Sequence, residues 1–200
     1  MSAQFLSAKN DYRQFVLDQN QGLETAVVSG WSVMLEAQLH KALSTFNGLW
    51  GAYKPLASEP QIQFDQLNKN IQWAYPKVTS LKTTSLKADK KLDYYKNVKN
   101  WMKSSLKVLE PVDGEHVLLQ DLKGVIVPAL AYHTSGHRLG RGAGYYDQSF
   151  KNYKGYKIGL CFDQFYNQDV PFENHDLLVD YVVTEKNVYK LKNTLNKGEF

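Results

Sequence analysis

The sequence predicts an α/β fold with a mostly parallel central sheet. Three stretches carry this prediction, because residues 125–127, 158–162 and 181–183 are apolar without interruption and rich in β-branched or aromatic side chains. Uninterrupted apolar strands are typical of a sheet that is covered on both faces, whereas a half-exposed strand alternates apolar and polar residues. A helix at 145–153 would connect two of these strands, as a parallel pair requires.

Two amphipathic helices are expected before the first strand. Residues 4–20 place Tyr12 and Val16 on one face at helical spacing, and residues 23–46 carry a longer apolar stripe. Gly48 is a natural stop for the second helix. The remaining elements are expected in the order of a strand at 49–53, a short helix at 64–71, a strand at 72–75 that ends before Pro76, a hairpin around 83–90 and a short helix at 94–106.

Length and composition bound the class of protein. The chain has 200 residues, of which 43% are hydrophobic, and we expect residues 1–200 to form one domain. Its single cysteine, Cys161, excludes an internal disulfide and a multi-cysteine metal site. The sequence has no apolar run of membrane-spanning length and no signal-peptide pattern, so we expect a cytoplasmic protein without a membrane partner.

The charge of the chain leaves two interpretations open. A formal net charge of +4 favours an anionic partner without demanding nucleic acid. The nine lysines between Lys77 and Lys107 form either an ordinary solvated face or an electropositive rim for a phosphate or polyanionic substrate. An aromatic content of 13% suits a flat, anionic ligand, and it also suits RNA.

Residues 138–147 form the most informative segment of the chain. Gly140, Gly142 and Gly144 alternate, and glycines let backbone N–H groups approach a ligand closely. The expected helix follows, and the free N–H groups at a helix start favour an anion. The spacing matches neither the P-loop nor the dinucleotide-binding fingerprint. Alternating glycines also make tight turns, so the pattern alone leaves both interpretations open.

The charged residues of this glycine loop point to phosphate and a cation. Arg138 and Arg141 carry forked donors that suit phosphate oxygens. Asp147 is the only acidic residue of the segment, and a lone carboxylate would repel a phosphate unless a cation lay between them. Mg²⁺ is the obvious candidate, because it prefers carboxylate, phosphate and water oxygens.

Taken together, several segments resemble the 5-formyltetrahydrofolate cyclo-ligase family. Residues 127–147 contain the string RLGRGAGYYD, which is similar to that family's glycine loop, and residues 171–185 are similar to its P-x-E-x-H-D-x-x-x-D-x-V-V-T-E tail. Weaker matches lie at residues 53–59, at the Glu-Pro pair 110–111, and at Lys9 with Arg13. The segments occur in the order that the family shows.

The resemblance implies a single-domain, three-layer α/β/α fold of Rossmann-like type and an ATP- and Mg²⁺-dependent ring closure. 5-Formyltetrahydrofolate would become 5,10-methenyltetrahydrofolate, with release of ADP and phosphate. The protein would act as a monomer on ATP and a reduced folate, with or without a polyglutamate tail, and without nucleic acid. The roles that the resemblance implies are ATP binding by Lys9, Arg13, Arg138, Gly140, Arg141, Gly142, Ala143, Gly144, Tyr145 and Tyr146, substrate binding by Lys54, Glu59, Arg141 and Tyr145, Mg²⁺ binding by Asp147 and Asp176, and catalysis by Arg141 and Tyr146.

The chain also departs from the family pattern. His133 stands where the family commonly has Asp, which puts the support of the glycine loop in question, and residues 77–107 match poorly. His175 is expected to position its loop rather than to bind a metal. Two alternatives therefore stay open: a cyclo-ligase-like protein that acts on another substrate, and a non-catalytic RNA-binding module.

Overall fold

The computed structural model describes residues 3–81 and 89–192 of the chain. The turn of the hairpin expected around 83–90 lies outside these residues, although its two arms are described. No helix in the described part of the chain has the length and apolarity needed to cross a bilayer.

The described residues include three α-helices, three 3-10 turns and thirteen strands. The helices are α1 (Ala3–Gln21), α2 (Thr25–Ala42) and α3 (Tyr145–Ser149). The strands are β1 (Gly48–Gly51), β2 (Ile71–Leu81), β3 (Asp89–Lys96), β4 (Trp101–Lys103), β5 (Leu109–Pro111), β6 (Glu115–Val117), β7 (Gly124–Pro128), β8 (Ala131–His133), β9 (Arg138–Leu139), β10 (Tyr156–Leu160), β11 (Tyr166–Asn167), β12 (Tyr181–Val183) and β13 (Val188–Lys190).

Eight of these strands form the central sheet, in the order β13-β12-β10-β7-β1-β2-β3-β6. The five strands from β12 to β2 pair in parallel, and antiparallel strands complete both edges. This confirms the α/β class with a mostly parallel sheet. Numbered along the chain, the parallel strands lie in the order 2-1-3-4-5, so the winding of the sheet reverses between β1 and β7. In open sheets of this kind, ligands bind outside the carboxyl ends of the strands at such a reversal.

The side chains of β7 show how the sheet is covered. Ile126 packs into the same cluster as Val16 of α1 and Leu39 of α2. Its neighbours Val125 and Val127 join the cluster on the opposite face, because successive side chains of a strand point to opposite sides. The helices α1 and α2 cover the first face. The second is covered by the short α3 and by loops, so the third layer is thin.

The predicted helix at 94–106 is wrong, because this stretch ends β3 and begins a β-hairpin formed by β4 and β5. In β3, Leu92 and Tyr94 are buried while Asp93 and Tyr95 are half-exposed, which is the period of a strand. After β3 the chain turns because Asp113 accepts the backbone N–H groups of residues 99 and 100.

Three other boundaries differ from the expectation. The strand predicted to end before Pro76 runs through that residue to Leu81. Since β1 pairs with β2 only as far as Ala74, β2 has a single neighbouring strand at Pro76, and the missing N–H of the proline is tolerated there. The helix predicted at 64–71 is a 3-10 turn, Phe64–Gln66, and residue 71 already opens β2. The helix predicted at 145–153 ends at Ser149.

Candidate active site

A cavity of about 260 Å³ opens at the carboxyl ends of β1 and β7, where the winding of the sheet reverses. Tyr53, Lys54 and Glu59 enter it from the loop after β1, and Arg138, Arg141 and the two tyrosines of the glycine loop enter it from the other side. All the residues predicted to bind the substrate therefore line this cavity, together with some of those predicted to bind ATP. Ten further lining residues had no predicted role in the site, among them Pro76, Val78, Leu92, Leu106, Val108 and Glu110, the last of which belongs to the family-like Glu-Pro pair.

The glycine loop needs its glycines for two different reasons. Gly142 and Gly144 have φ values of +92° and +76°, a left-handed conformation in which a side chain is strained. Gly140 has an ordinary φ, but a Cβ there would collide with the guanidinium of Arg138. The alternating pattern thus reflects both conformation and close approach, and Ala143 between two of the glycines lines the cavity.

Arg138 is a buried cation that ties the loop to the end of β7. Its Nε donates to the carbonyl of Pro128 at 2.7 Å, and its guanidinium lies 4.7 Å from the centroid of the Tyr146 ring. The Nη nitrogens have no hydrogen-bond acceptor among the described residues, although the side chain lines the cavity. Burial raises the pKa of Tyr146, so its hydroxyl stays a neutral donor.

Glu59 and Arg141 form a charged pair on the cavity wall. Arg141 Nε lies 3.6 Å from Glu59 Oε1, and its guanidinium also donates to the hydroxyl of Ser58. Glu59 is almost fully buried, and its Oε2 accepts the backbone N–H of Leu56 at 2.9 Å. Burial raises the pKa of Glu59, while the Leu56 hydrogen bond and the Arg141 charge oppose that rise.

Lys54 completes this side of the cavity. Its Nζ lies 4.6 Å from the centroid of the Tyr75 ring and 4.5 Å from that of the Trp101 ring. These two contacts are in the range of cation–π interactions. They hold the ammonium against the β2 and β4 strands, and no carboxylate of the described residues forms an ion pair with it.

The helix α1 brings Arg13 to the glycine loop and Lys9 to the neighbouring segment of Asp176, as their spacing of four residues on one helical face allows. Arg13 Nε donates to the carbonyl of Gly140 at 2.8 Å. Lys9 is almost fully buried, and its Nζ lies 2.6 Å from Asp176 Oδ2 and 2.8 Å from Glu173 Oε2. Burial lowers the pKa of Arg13, while the neighbouring carboxylates of residues 147, 173 and 176 oppose that fall.

The two predicted metal ligands lie in one corner of the site. Asp147 Oδ1 accepts the backbone N–H of Leu177 at 3.1 Å, so its carboxylate lies beside the residue that follows Asp176. Ligand atoms of Glu173, His175 and Asp176 all lie within 4.8 Å of one another. The carboxylates of Glu173 and Asp176 suit Mg²⁺ in type, since that ion prefers oxygen ligands, whereas the imidazole of His175 does not; Asp176 is here engaged by the ammonium of Lys9.

A further contact to the loop comes from β3 and was not predicted. Lys90 Nζ donates to the carbonyl of Ala143 at 2.7 Å and lies 5.9 Å from the centroid of the Tyr145 ring. The backbone N–H of Leu92 donates to Ser149 Oγ at 2.9 Å. The strand therefore supports both the loop and α3. Its only sequence signal was a lysine-rich stretch, which does not point to the loop.

His133, the departure from the family pattern, supports the approach to the loop. Its Nδ1 accepts the backbone N–H of Ser135, two residues later in the chain, at 3.0 Å. A carboxylate oxygen of Asp accepts the equivalent N–H in an Asx-turn. The hydroxyl of Ser135 then bridges to His137 Nδ1 at 2.7 Å. The turn before β9 is thus closed by a histidine acceptor in the place of a carboxylate.

The mostly parallel sheet, the cavity at its winding reversal and the basic glycine loop define an α/β protein with a cleft at the carboxyl ends of its strands. The chain belongs to the 5-formyltetrahydrofolate cyclo-ligase family, whose model matches residues 57–185. The matched range contains Glu59, the glycine loop and Asp176, whereas α1 and Lys54 lie outside it.

Individual relatives agree with this assignment over part of their length. The 5-formyltetrahydrofolate cyclo-ligase of Escherichia coli K12 is 36% identical over 90 residues, which is 42% of this chain and 50% of that protein. The Saccharomyces cerevisiae protein of the same name is 40% identical over 67 residues, 30% of this chain and 32% of that protein. The chain therefore matches about half of the length of these curated relatives, or less.

Solved structures match more of the chain. The NMR structure of Aquifex aeolicus 5,10-methenyltetrahydrofolate synthetase has a TM-score of 0.72 at 26% identity, over 92% of this chain and 93% of that one. The synthetase of Mycoplasma pneumoniae has a TM-score of 0.70 at 19% identity, over 88% and 98% of the two chains, and shows the fold alone. The Rossmann-like α/β prediction is thereby confirmed.

Proposed function

We propose that this protein is a 5-formyltetrahydrofolate cyclo-ligase, which uses ATP to convert 5-formyltetrahydrofolate into 5,10-methenyltetrahydrofolate, ADP and phosphate. The observation that carries the proposal is the junction in the cavity. There the buried Glu59, paired with Arg141, lines the same cavity as Tyr145 and Tyr146 of the glycine loop. The loop also contains the buried cation Arg138, and Arg13 contacts it from α1. A flat, polar ring and a polyphosphate would meet at this junction.

The chemistry needs alignment more than it needs a protein nucleophile. The formyl oxygen of the substrate is a poor leaving group, so it is first phosphorylated by the γ-phosphate of ATP, which releases ADP. Nitrogen N10 then attacks the activated carbon, loses its proton, and the phosphate departs with the former formyl oxygen. Such a transfer is accelerated by positioning and by neutralising charge on the moving phosphoryl group.

The substrate side of the junction suits a reduced pterin. Glu59 offers carboxylate oxygens to the amino and ring N–H groups of the pterin, and its position is fixed by Leu56 and Arg141. Tyr145 and Lys54 line the same cavity and would contact the rest of the folate. Arg141 and Tyr146 lie where the formyl oxygen and the phosphate would meet, so we assign them the catalytic contacts.

The ATP side is built around the glycine loop. The backbone N–H groups of Gly140, Gly142, Ala143 and Gly144 would hold phosphate oxygens, together with the Nη nitrogens of Arg138, which have no acceptor in the part of the chain that the structure describes. Arg13 at the loop and Lys9 at the segment of Asp176 add a second set of cations from α1.

The ion pair of Lys9 with Asp176 indicates how the site would accept ATP. Asp147 and Asp176 would hold Mg²⁺, and the bound ion would neutralise charge on the phosphate oxygens. Lys9 would then leave the carboxylates of Asp176 and Glu173 for a phosphate. Asp176 would exchange the ammonium of Lys9 for Mg²⁺, and Lys9 would exchange the carboxylate of Asp176 for a phosphate, so both of these buried charges would stay paired.

Turnover tests this function directly. Purified protein with ATP, Mg²⁺ and 5-formyltetrahydrofolate is expected to produce the absorbance of 5,10-methenyltetrahydrofolate, and to release phosphate in equal amount. Mg²⁺-dependent ATP binding without that product would instead favour a related protein with another substrate. RNA affinity that falls steeply with salt, without ATP binding, would favour the RNA-binding alternative.

A further inference from the structure

Glu110 is a buried acid on the cavity wall that the proposed function does not use. It lies in β5 and is only 9% exposed. Its Oε1 is buried and accepts no hydrogen bond from any described residue. A buried carboxylate oxygen without a donor is costly, so such a group calls for a partner that arrives from outside the chain.

The pattern around Glu110 is inverted relative to ordinary packing. Leu109 and Val112 are 47% and 53% exposed, while the glutamate between them is buried. A strand usually turns its apolar residues inward and its charges outward. Positions that break this rule are expected at functional sites, where binding rather than stability has selected the residue.

The hairpin of β4 and β5 holds Glu110 in place. Glu110 pairs with Met102 across the hairpin, and the neighbouring pair joins Pro111 to Trp101. The Trp101 ring packs edge-on against Tyr75 of β2 at 5.0 Å, which anchors the hairpin to the central sheet. The glutamate is thus carried on a supported element rather than on a free loop.

The other groups in the cavity leave Glu110 available. Glu59 is already engaged by Leu56 and Arg141, and among the described residues no cation forms an ion pair with Glu110. The cavity wall also includes the apolar side chains of Val78, Leu92 and Val108. The cavity therefore suits a flat body that carries more N–H donors than one carboxylate can accept.

A reduced pterin has such an excess of donors, because its amino group, ring amide and secondary ring amine together carry more N–H bonds than the two oxygens of one carboxylate satisfy. We infer that Glu110 is a second acceptor for the N–H groups of the pterin, beside Glu59, and so determines specificity for the folate ring. This inference rests on the proposed function, since it assumes that a folate fills the cavity.

The test is the variant Glu110→Gln, with Glu115→Gln as a matched control. Glu115 is exposed and pairs with Lys96, outside the cavity. Calorimetry measures 5-formyltetrahydrofolate binding without ATP, Mg²⁺–ATP binding is measured separately, and the melting temperature is recorded. For Glu110→Gln the Kd of the folate is expected to rise about tenfold or more, as loss of a charged hydrogen bond predicts, while ATP binding stays unchanged.

Stability separates a binding role from a structural one. Because the carboxylate is buried without a donor, Glu110→Gln is expected to melt at the same temperature as the wild type or higher. A variant that binds the folate like the wild type overturns the inference, and so does one that melts earlier and loses both ligands. If the wild-type protein itself binds no 5-formyltetrahydrofolate, the proposed function fails and the inference with it.

Discussion

Gly142 is the residue at which the loop's conformation can be tested alone. Its φ of +92° is strained for any other residue, yet the nearest atom to a Cβ there would belong to the Arg13 side chain, at an ordinary distance of 3.6 Å. Gly142→Ala is therefore expected to lower the free energy of unfolding by about 1–2 kcal/mol through backbone strain. Urea denaturation measures this change.

The same substitution at Gly30 is the control. Gly30 lies inside α2, and a Cβ there would have no neighbour within 4 Å. Gly30→Ala is expected to raise the free energy of unfolding by up to about 1 kcal/mol, because alanine favours the helix. A loss at Gly30 or no loss at Gly142 would contradict the conformational argument.

Single residues of the site were predictable where their chemistry is local. The glycines at 142 and 144 could be recognised from the sequence, because a backbone position with positive φ favours glycine. Glu110 and Lys90 could not be found in this way. Glu110 belongs to the Glu-Pro pair that resembles the family pattern, but that resemblance gave it no role, and only the pairing of distant strands brings both residues to the loop and the cavity.

At the scale of elements, the strands with uninterrupted apolar residues were predicted and the lysine-rich middle was not. β7, β10 and β12 are buried on both faces, so their composition alone marks them. In β3 the alternation of Leu92 and Tyr94 is hidden among lysines, whose long stems lie along a strand as readily as along a helix. The pairing with β2 and β6 decides the outcome there.

The support that β3 gives the glycine loop leads to a prediction. Removing the ammonium of Lys90 in Lys90→Met leaves the carbonyl of Ala143 without its donor and the loop less fixed. Since Lys90 is half-exposed, the loss is about 1 kcal/mol, and kcat/KM for the cyclisation should fall about fivefold. Steady-state kinetics with both substrates measures this fall.

Lys91→Met is the matched control for this effect. Lys91 is the next residue of the same strand, so its side chain leaves from the opposite face, and it forms an exposed pair with Asp93 at 3.6 Å. Its kcat/KM should stay within about twofold of the wild type, as expected for an exposed pair. Equal losses in both variants would show that charge on β3, rather than the contact to the loop, matters.

At the scale of the molecule, the winding reversal of the sheet explains why distant segments meet. The loop after β1 and the segment after β7 leave the sheet at neighbouring carboxyl ends, and the cavity opens between them. The helix α1 and the segment of Asp176 close around the same loop from outside the cavity. The family model matches residues 57–185 only, so the placement of α1 beside the proposed ATP site is argued from the contacts of Lys9 and Arg13. The monomeric state and the cytoplasmic location stay predictions.

Because ATP would join α1, the glycine loop and the Asp176 segment, its binding should stabilise the whole molecule and should need Mg²⁺. At one hundred times its Kd, a ligand raises the free energy of unfolding by about 2.7 kcal/mol, which is about 5–10 °C in melting temperature for a chain of this size.

Asp147→Asn keeps an oxygen for the N–H of Leu177 but lacks the charge for the cation. The variant should therefore lose most of the shift that Mg²⁺ adds to that of ATP alone. Asp121→Asn, an exposed change near the amino end of β7, should keep it. A shift that is equal with and without Mg²⁺, or intact in Asp147→Asn, would remove Asp147 from the metal site.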